Sequence, residues 1–422
     1  MGILAPLGEL TPAQWRAFIA AFLGWCLDAF DFFLVTFVLS AIADEFKLPI
    51  PKVAFAITIA LMCRPLGALI FGVLADRYGR RGPLMASVLL YSIFELLSGF
   101  SPNFTVLIIL RALYGVAMGG EWGVGAALAL ETLPPKARGV ASGILQQGYA
   151  TGYLIAALVF GGLFQYIGWR GMFFVGVAPA LLVLFIRAGV KESPVWREGR
   201  SRHLGAFTEL IASIKRAPLL FAYAILLMAA FNFMSHGSQD LYPTFLQKQH
   251  GFNPGNVRNV TVFMNIGAIL GGTLVGAFSQ RIGRRVAIAV CCVLGALLVP
   301  FWAGAQSAVL LAVSAFSLQF FVQGAWGVIP AHLNELSPPD VRGTFPGFTY
   351  QLGNLITAYA AQWEAAFATK SFPLPLPQGA DYGRAMEIIM IGVFAVVFVL
   401  ALIGHERRDV DFAALEPEPA AP

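Results

Sequence analysis

The chain has 422 residues, 58% of them hydrophobic and only 12% charged, with a mean hydropathy of +0.73 and a formal net charge of +5. An ordinary soluble domain carries roughly twice that charged fraction, so the composition excludes one and points to a bilayer. The four cysteines, Cys26, Cys63, Cys291 and Cys292, all fall in apolar stretches, so neither a disulfide framework nor a zinc site is expected.

Apolar runs long enough to cross about 30 Å of hydrocarbon recur along the whole length. Twelve crossings are predicted, over 15–43, 53–75, 83–100, 104–130, 139–166, 169–189, 218–248, 255–279, 286–305, 307–335, 343–369 and 384–404. "LTPAQW" before the first reads as a helix start, with Thr11 as N-cap and Pro12 at the first helical position. No basic run, short apolar core and small-residue cleavage site occur there in that order, so this span is expected to be retained. Placing both termini in the cytoplasm puts most of the 28 Lys and Arg on that side, the usual bias of an inner-membrane, multi-pass chain.

The longest polar connector, 191–217, carries Lys191, Arg197, Arg200, Arg202, Lys215 and Arg216 and divides the chain. The expected organisation is an N-terminal six-helix bundle (1–190), a cytoplasmic linker (191–217), a C-terminal six-helix bundle (218–404) and a disordered cytoplasmic tail (405–422) ending in "LEPEPAAP". The two bundles are self-similar. "GVLADRYGRR" at Gly72 returns 204 positions later as "GAFSQRIGRR" at Gly276, and the same offset relates "ETLPPKARG" to "ELSPPDVRG" and "GEWGVG" to "GAWGVI". Paired halves with a site between them near the midplane are a secondary-transporter arrangement.

"GVLADRYGRR" with "RALYGVAMGG" at Arg111–Gly120 resembles the paired signatures of the major facilitator superfamily along essentially the whole chain. Asn232, Ser235, His236, Ser238, Gln239, Asp240 and Thr244 resemble the helix-seven motif of the lactate and pyruvate permeases in the sialate:proton symporter family, and "LDAFDFF" and "LQQGYATGY" are similar too. The resemblance implies an all-α membrane protein of twelve helices working by alternating access. It also implies a pathway shaped by Arg64, Asn232, His236, Asp240 and Gln351, with Asn354 one turn beyond. Asp76, Arg77 and Arg80 then belong to a gate in which Asp76 pairs with a neighbouring helix end or with Arg138. Gln280 stands where the second copy would carry that aspartate, so the latch is expected to be stronger in the first half.

The residues themselves support a pathway. At helical spacing Asn232, Ser235, His236, Gln239 and Asp240 form one polar arc, and ionisable groups inside spans normally face a bundle interior or an aqueous cavity. Ser235 and Ser238 serve equally well as hydrogen-bonding glue between helices. Arg64 in "LMCRPLGA" presents a two-donor fork that fits a carboxylate, or else pairs permanently with Asp28 or Asp31. Asp28, Asp31, Glu121 and the His236/Asp240 pair are the available proton carriers; Arg111 could instead simply neutralise Glu121. No nucleophile with its base, phosphate loop or metal spacing is present in the sequence. The reading is therefore a monomeric, cofactor-free, proton-coupled symporter of small monocarboxylates, with sialic or an aromatic acid as the alternative substrate. It is no enzyme and has no nucleic-acid partner. The rival of another class is a sensor that keeps the fold without transport, which would commonly append long soluble segments.

Overall fold

The structure is a computed structural model and describes residues 5–48, 50–199, 206–239, 242, 245–246, 249–252, 254–358, 382–408 and 410. Among these, every regular element is helical. The first, α1 (Pro12–Phe46), opens as expected: Thr11 Oγ1 accepts from the Gln14 N–H, and the Gln14 side chain returns a bond to the Thr11 N–H, satisfying two otherwise orphaned groups.

Ten helices or joined helix pairs among the described residues are long and apolar enough to cross a membrane. The other two expected crossings depart for local reasons. The 139–166 stretch is divided into Pro135–Gln146 and Gly148–Val175 by Gln147, and the second helix breaks at Gly168, whose φ of 62° few side chains tolerate. The 343–369 stretch begins as Phe345–Thr357, and 359–369 lies outside the described residues. The 104–130 crossing is Phe104–Met118 and Glu121–Glu131, parted at Gly119–Gly120. A Cβ at Gly119 would overlap the backbone of Arg64, so this glycine lets Ile50–Tyr78, which carries Arg64, lie directly against the fourth crossing.

The 204-residue repeat is visible in the bonding of the two Gly-Arg-Arg turns, which lie on one face, the basic face. Arg80 Nη2 meets Glu131 Oε1 at 2.9 Å, and Arg284 Nη2 meets Glu335 Oε1 at 2.8 Å. Glu192 accepts the backbone N–H groups of Arg80 and Arg81; Glu406 accepts those of Arg284 and Arg285. Gly79 and Gly283 take φ values of 102° and 100°, the left-handed turn that delivers each arginine to its carboxylate. The linker packs into this face: Ser193 Oγ donates to Glu131 and Trp196 Nε1 to the Asp76 carbonyl. So does the start of the tail, where the Val410 carbonyl accepts from Arg138; residues 411–422 are outside the described set.

The two halves meet on the same face. Gly343 N–H donates to Asp76 Oδ1 at 2.8 Å and Thr344 Oγ1 to Asp76 Oδ2 at 2.6 Å. Ser142 Oγ donates to the Gly327 carbonyl and accepts the Ala331 N–H. Deeper in, Gly123 and Gly347 touch backbone to backbone: a Cβ on Gly123 would lie 2.5 Å from Gly347 Cα. This seam joins the two halves on the basic face.

Candidate functional site

Above the seam, Trp25, Gln146, Tyr149, Asn232, Ser235, His236, Gln323, Trp326 and Tyr350 wall a cavity of about 20 Å³, room for about one water molecule. Both halves contribute to it. Its floor is aromatic: Tyr350 packs on Trp122 at 4.7 Å and edge-on to Trp326 at 5.8 Å, while Trp25 stacks on Tyr149 at 5.5 Å. Trp122 and Trp326 stand one repeat apart in the sequence.

Of the expected binding residues, Asn232 and His236 are in this wall. Gln351 and Asn354 are buried and bonded to each other at 3.0 Å rather than lining it. Arg64 is also outside the wall, with its Nη2 3.1 Å from Asp28 Oδ1 and 2.7 Å from Met118 Sδ and its guanidinium over the Phe32 ring. Asp28, rather than Asp31, is thus its partner. Asp240 and Thr244 lie outside the described residues.

The remaining acids form a second buried group in the first half. Glu121 packs against α1 where Gly24 leaves room, and neither of its carboxyl oxygens has a hydrogen-bond partner. Asp31 is equally without partners and shares the surface of Gly176 with Glu95. Arg111 does not neutralise Glu121; its Nη1 bonds Glu95, and its guanidinium lies 3.7 Å from the centre of the Tyr114 ring. Four buried carboxyl groups therefore share two guanidinium groups.

Sequence reasoning missed Gln319 and Gln323. Gln319 Nε2 donates to Ser238 Oγ, its Oε1 accepts from Gln239 Nε2, and Gln323 Nε2 donates to Ser235 Oγ at 3.3 Å. Ser235 of the polar arc and the nearby Ser238 are thereby tied to the tenth crossing, as hydrogen-bonding glue. The i, i+4 spacing of two glutamines in an apolar span was the available signal. Of the residues expected at a gate, Asp76 and Arg80 are buried together at 3.1 Å. Arg77 is exposed over the Tyr78 ring, and Arg138 donates to the Leu133 and Val410 carbonyls.

A paired-half helical membrane protein with a cavity between its halves has the architecture of a secondary transporter. The family model of the Major Facilitator Superfamily matches residues 21–361, and the chain belongs to that superfamily. It is 31% identical to the carboxylic acid transporter protein homolog of Saccharomyces cerevisiae, over 97% of this chain and 71% of that protein. It is 29% identical to the sialic acid transporter NanX of Escherichia coli, over 94% and 95% of the two chains. The proton:xylose symporter XylE shares the fold, with a TM-score of 0.73 and 17% identity over 92% and 94% of the two chains.

Proposed function

We propose that the chain imports small monocarboxylates, lactate or pyruvate, together with a proton, by alternating access between its two six-helix halves, with both termini cytoplasmic. The observation that carries this is the buried Arg64–Asp28 pair. A substrate carboxylate that takes Arg64 from Asp28 keeps the cation neutralised and leaves Asp28 a buried anion without a partner, which is costly in hydrocarbon unless it accepts a proton. Acid and proton then favour each other equally by linkage. Asp31 and Glu121, without partners of their own, and His236 on the cavity wall extend the proton route. Asp76 acts as the latch of the state closed at the basic face.

Labelled lactate offered to proteoliposomes tests this. An inward-directed proton gradient should drive accumulation, and the His236→Gln variant should lose driven uptake more than lactate-for-lactate exchange. Gradient-independent equilibration would remove the coupling. The aromatic floor of Trp25, Tyr149, Trp326 and Tyr350 favours one second reading, a planar or aromatic acid; uptake of benzoate without uptake of lactate or pyruvate would select it.

A further inference from the structure

Three of the residues that wall the cavity carry a buried side-chain donor without a hydrogen-bond partner: Trp25 and Trp326 at their indole Nε1 and Asn232 at its amide Nδ2. All three residues are buried, with exposures of 2%, 3% and 2%. They come from three helices, α1, Ala308–Trp326 and Pro218–Gln239, and from both halves of the chain. Buried polar groups in folded proteins are almost always satisfied, so three orphans on one small cavity call for an occupant.

Their chemistry specifies it. An indole N–H only donates, and the unpartnered atom of Asn232 is its donor. No buried acceptor atom of the nine wall residues is left without a partner. Trp122, which packs behind Tyr350, is already committed to Gln146 Oε1. A hydroxyl group set against these three donors would accept from them but find no acceptor among them for its own proton. A carboxylate only accepts, on two oxygens, and matches the set.

We propose that Trp25, Trp326 and Asn232 form a cradle of neutral donors that holds the substrate's carboxylate between the halves before it displaces Asp28 from Arg64. This rests on the carboxylate-transport reading and deepens it. Because the donors straddle the seam, a bound carboxylate draws the halves together, and the cavity must widen from its present volume to admit it. Indole donors also explain why the floor is built of tryptophan where phenylalanine would pack as well.

The test removes N–H groups and keeps rings. Uptake of lactate, pyruvate, benzoate and N-acetylneuraminate is measured into proteoliposomes holding equal amounts of wild type, Trp25→Phe, Trp326→Phe and Trp302→Phe. Trp302 is the control, since its Nε1 is also buried without a partner but lies away from the cavity, stacked on Tyr242. For whichever acid the wild type carries, Trp25→Phe and Trp326→Phe should each raise KM by about tenfold or more, the worth of a hydrogen bond to a charged group, with Trp302→Phe unchanged. Should either cavity variant fail to insert, equilibrium binding of the same acid to Asn232→Leu replaces it, with the same expected loss. Unchanged KM in the cavity variants, or an equal rise in Trp302→Phe, overturns the cradle while leaving carboxylate transport standing. Wild-type uptake of none of the four acids overturns both.

Discussion

Asp76 reaches across the molecule to Gly343: its Oδ1 accepts that residue's backbone N–H at 2.8 Å, while Gln280, its repeat counterpart, accepts from Arg284 in its own half. The first copy of the turn bonds across to the other half, whereas the side-chain bond of Gln280 stays in its own half, although Gln280 also packs on Gly139 of the first. Bonds to a charged group are worth roughly 1.5–3 kcal/mol each. Asp76→Asn is therefore expected to move the resting population away from the state closed at the basic face by about tenfold, and Gln280→Ala to leave it in place. Cysteine accessibility from each side of the membrane reads this out, and equal effects from the two variants would remove the asymmetric latch.

The glycine contact below the cavity gives an independent handle on the same closure. An alanine methyl at Gly123 would lie 2.5 Å from Gly347 Cα, with backbone on both sides and no flexible side chain to yield. Gly123→Ala should hold the basic face open and cut net uptake severely, whereas Gly162→Ala, where a Cβ meets nothing within 4 Å, should transport as wild type. A Gly123→Ala protein that still closes would show that the seam has slack.

Much of this was legible in the sequence because hydropathy and charge act locally. Ten of the twelve expected crossings, the repeat, the Thr11 cap and the contrast between Asp76 and Gln280 follow from residue type and spacing. The cavity wall does not. Whether Arg64 faces Asp28 or Asp31 depends on how α1 packs against Ile50–Tyr78, and an i, i+3 spacing leaves both on offer. Glu95, not Glu121, meets Arg111 for the same kind of reason. The breaks at Gln147 and Gly168 leave no mark on hydropathy. Tryptophan counts as apolar in any periodicity count, so Trp25 and Trp326 read as core until their unanswered N–H groups are seen, although the repeat of Trp122 at Trp326 was visible.

Arg64 and Asp28 can be separated by substitution. Arg64→Lys keeps the charge but loses the planar fork, so it should raise the KM for lactate by about tenfold or more without loss of protein from the membrane. If the proposed coupling runs through Asp28, Asp28→Asn should leave lactate exchange intact while accumulation driven by a pH gradient disappears. Gradient-driven accumulation at the wild-type level in Asp28→Asn would move the coupling to Asp31, Glu121 or His236.

At the far end of α1, hydrogen bonds from Trp169 and then Arg170, each 2.6 Å, hold the Glu45 carboxyl below the usual carboxylate range. A folded-state value below the unfolded one stabilises above the unfolded pKa, about 4.3 for glutamate, and that gain is lost as pH falls through the lowered folded value. The difference in Tm between wild type and Glu45→Gln should thus be full near neutral pH and shrink on acidification below about pH 4. A difference that persists unchanged at about pH 3 would mean that the bonds act through packing rather than charge.

The central claim is that a proton travels with the acid, and it is most directly tested by the proton itself. Lactate is added to lightly buffered proteoliposomes with no imposed gradient, and the pH of the medium is followed. Symport predicts an alkalinisation that rises with lactate uptake, saturates with it and collapses when an uncoupler is present. Lactate entry at the same rate with no change in external pH would contradict the account.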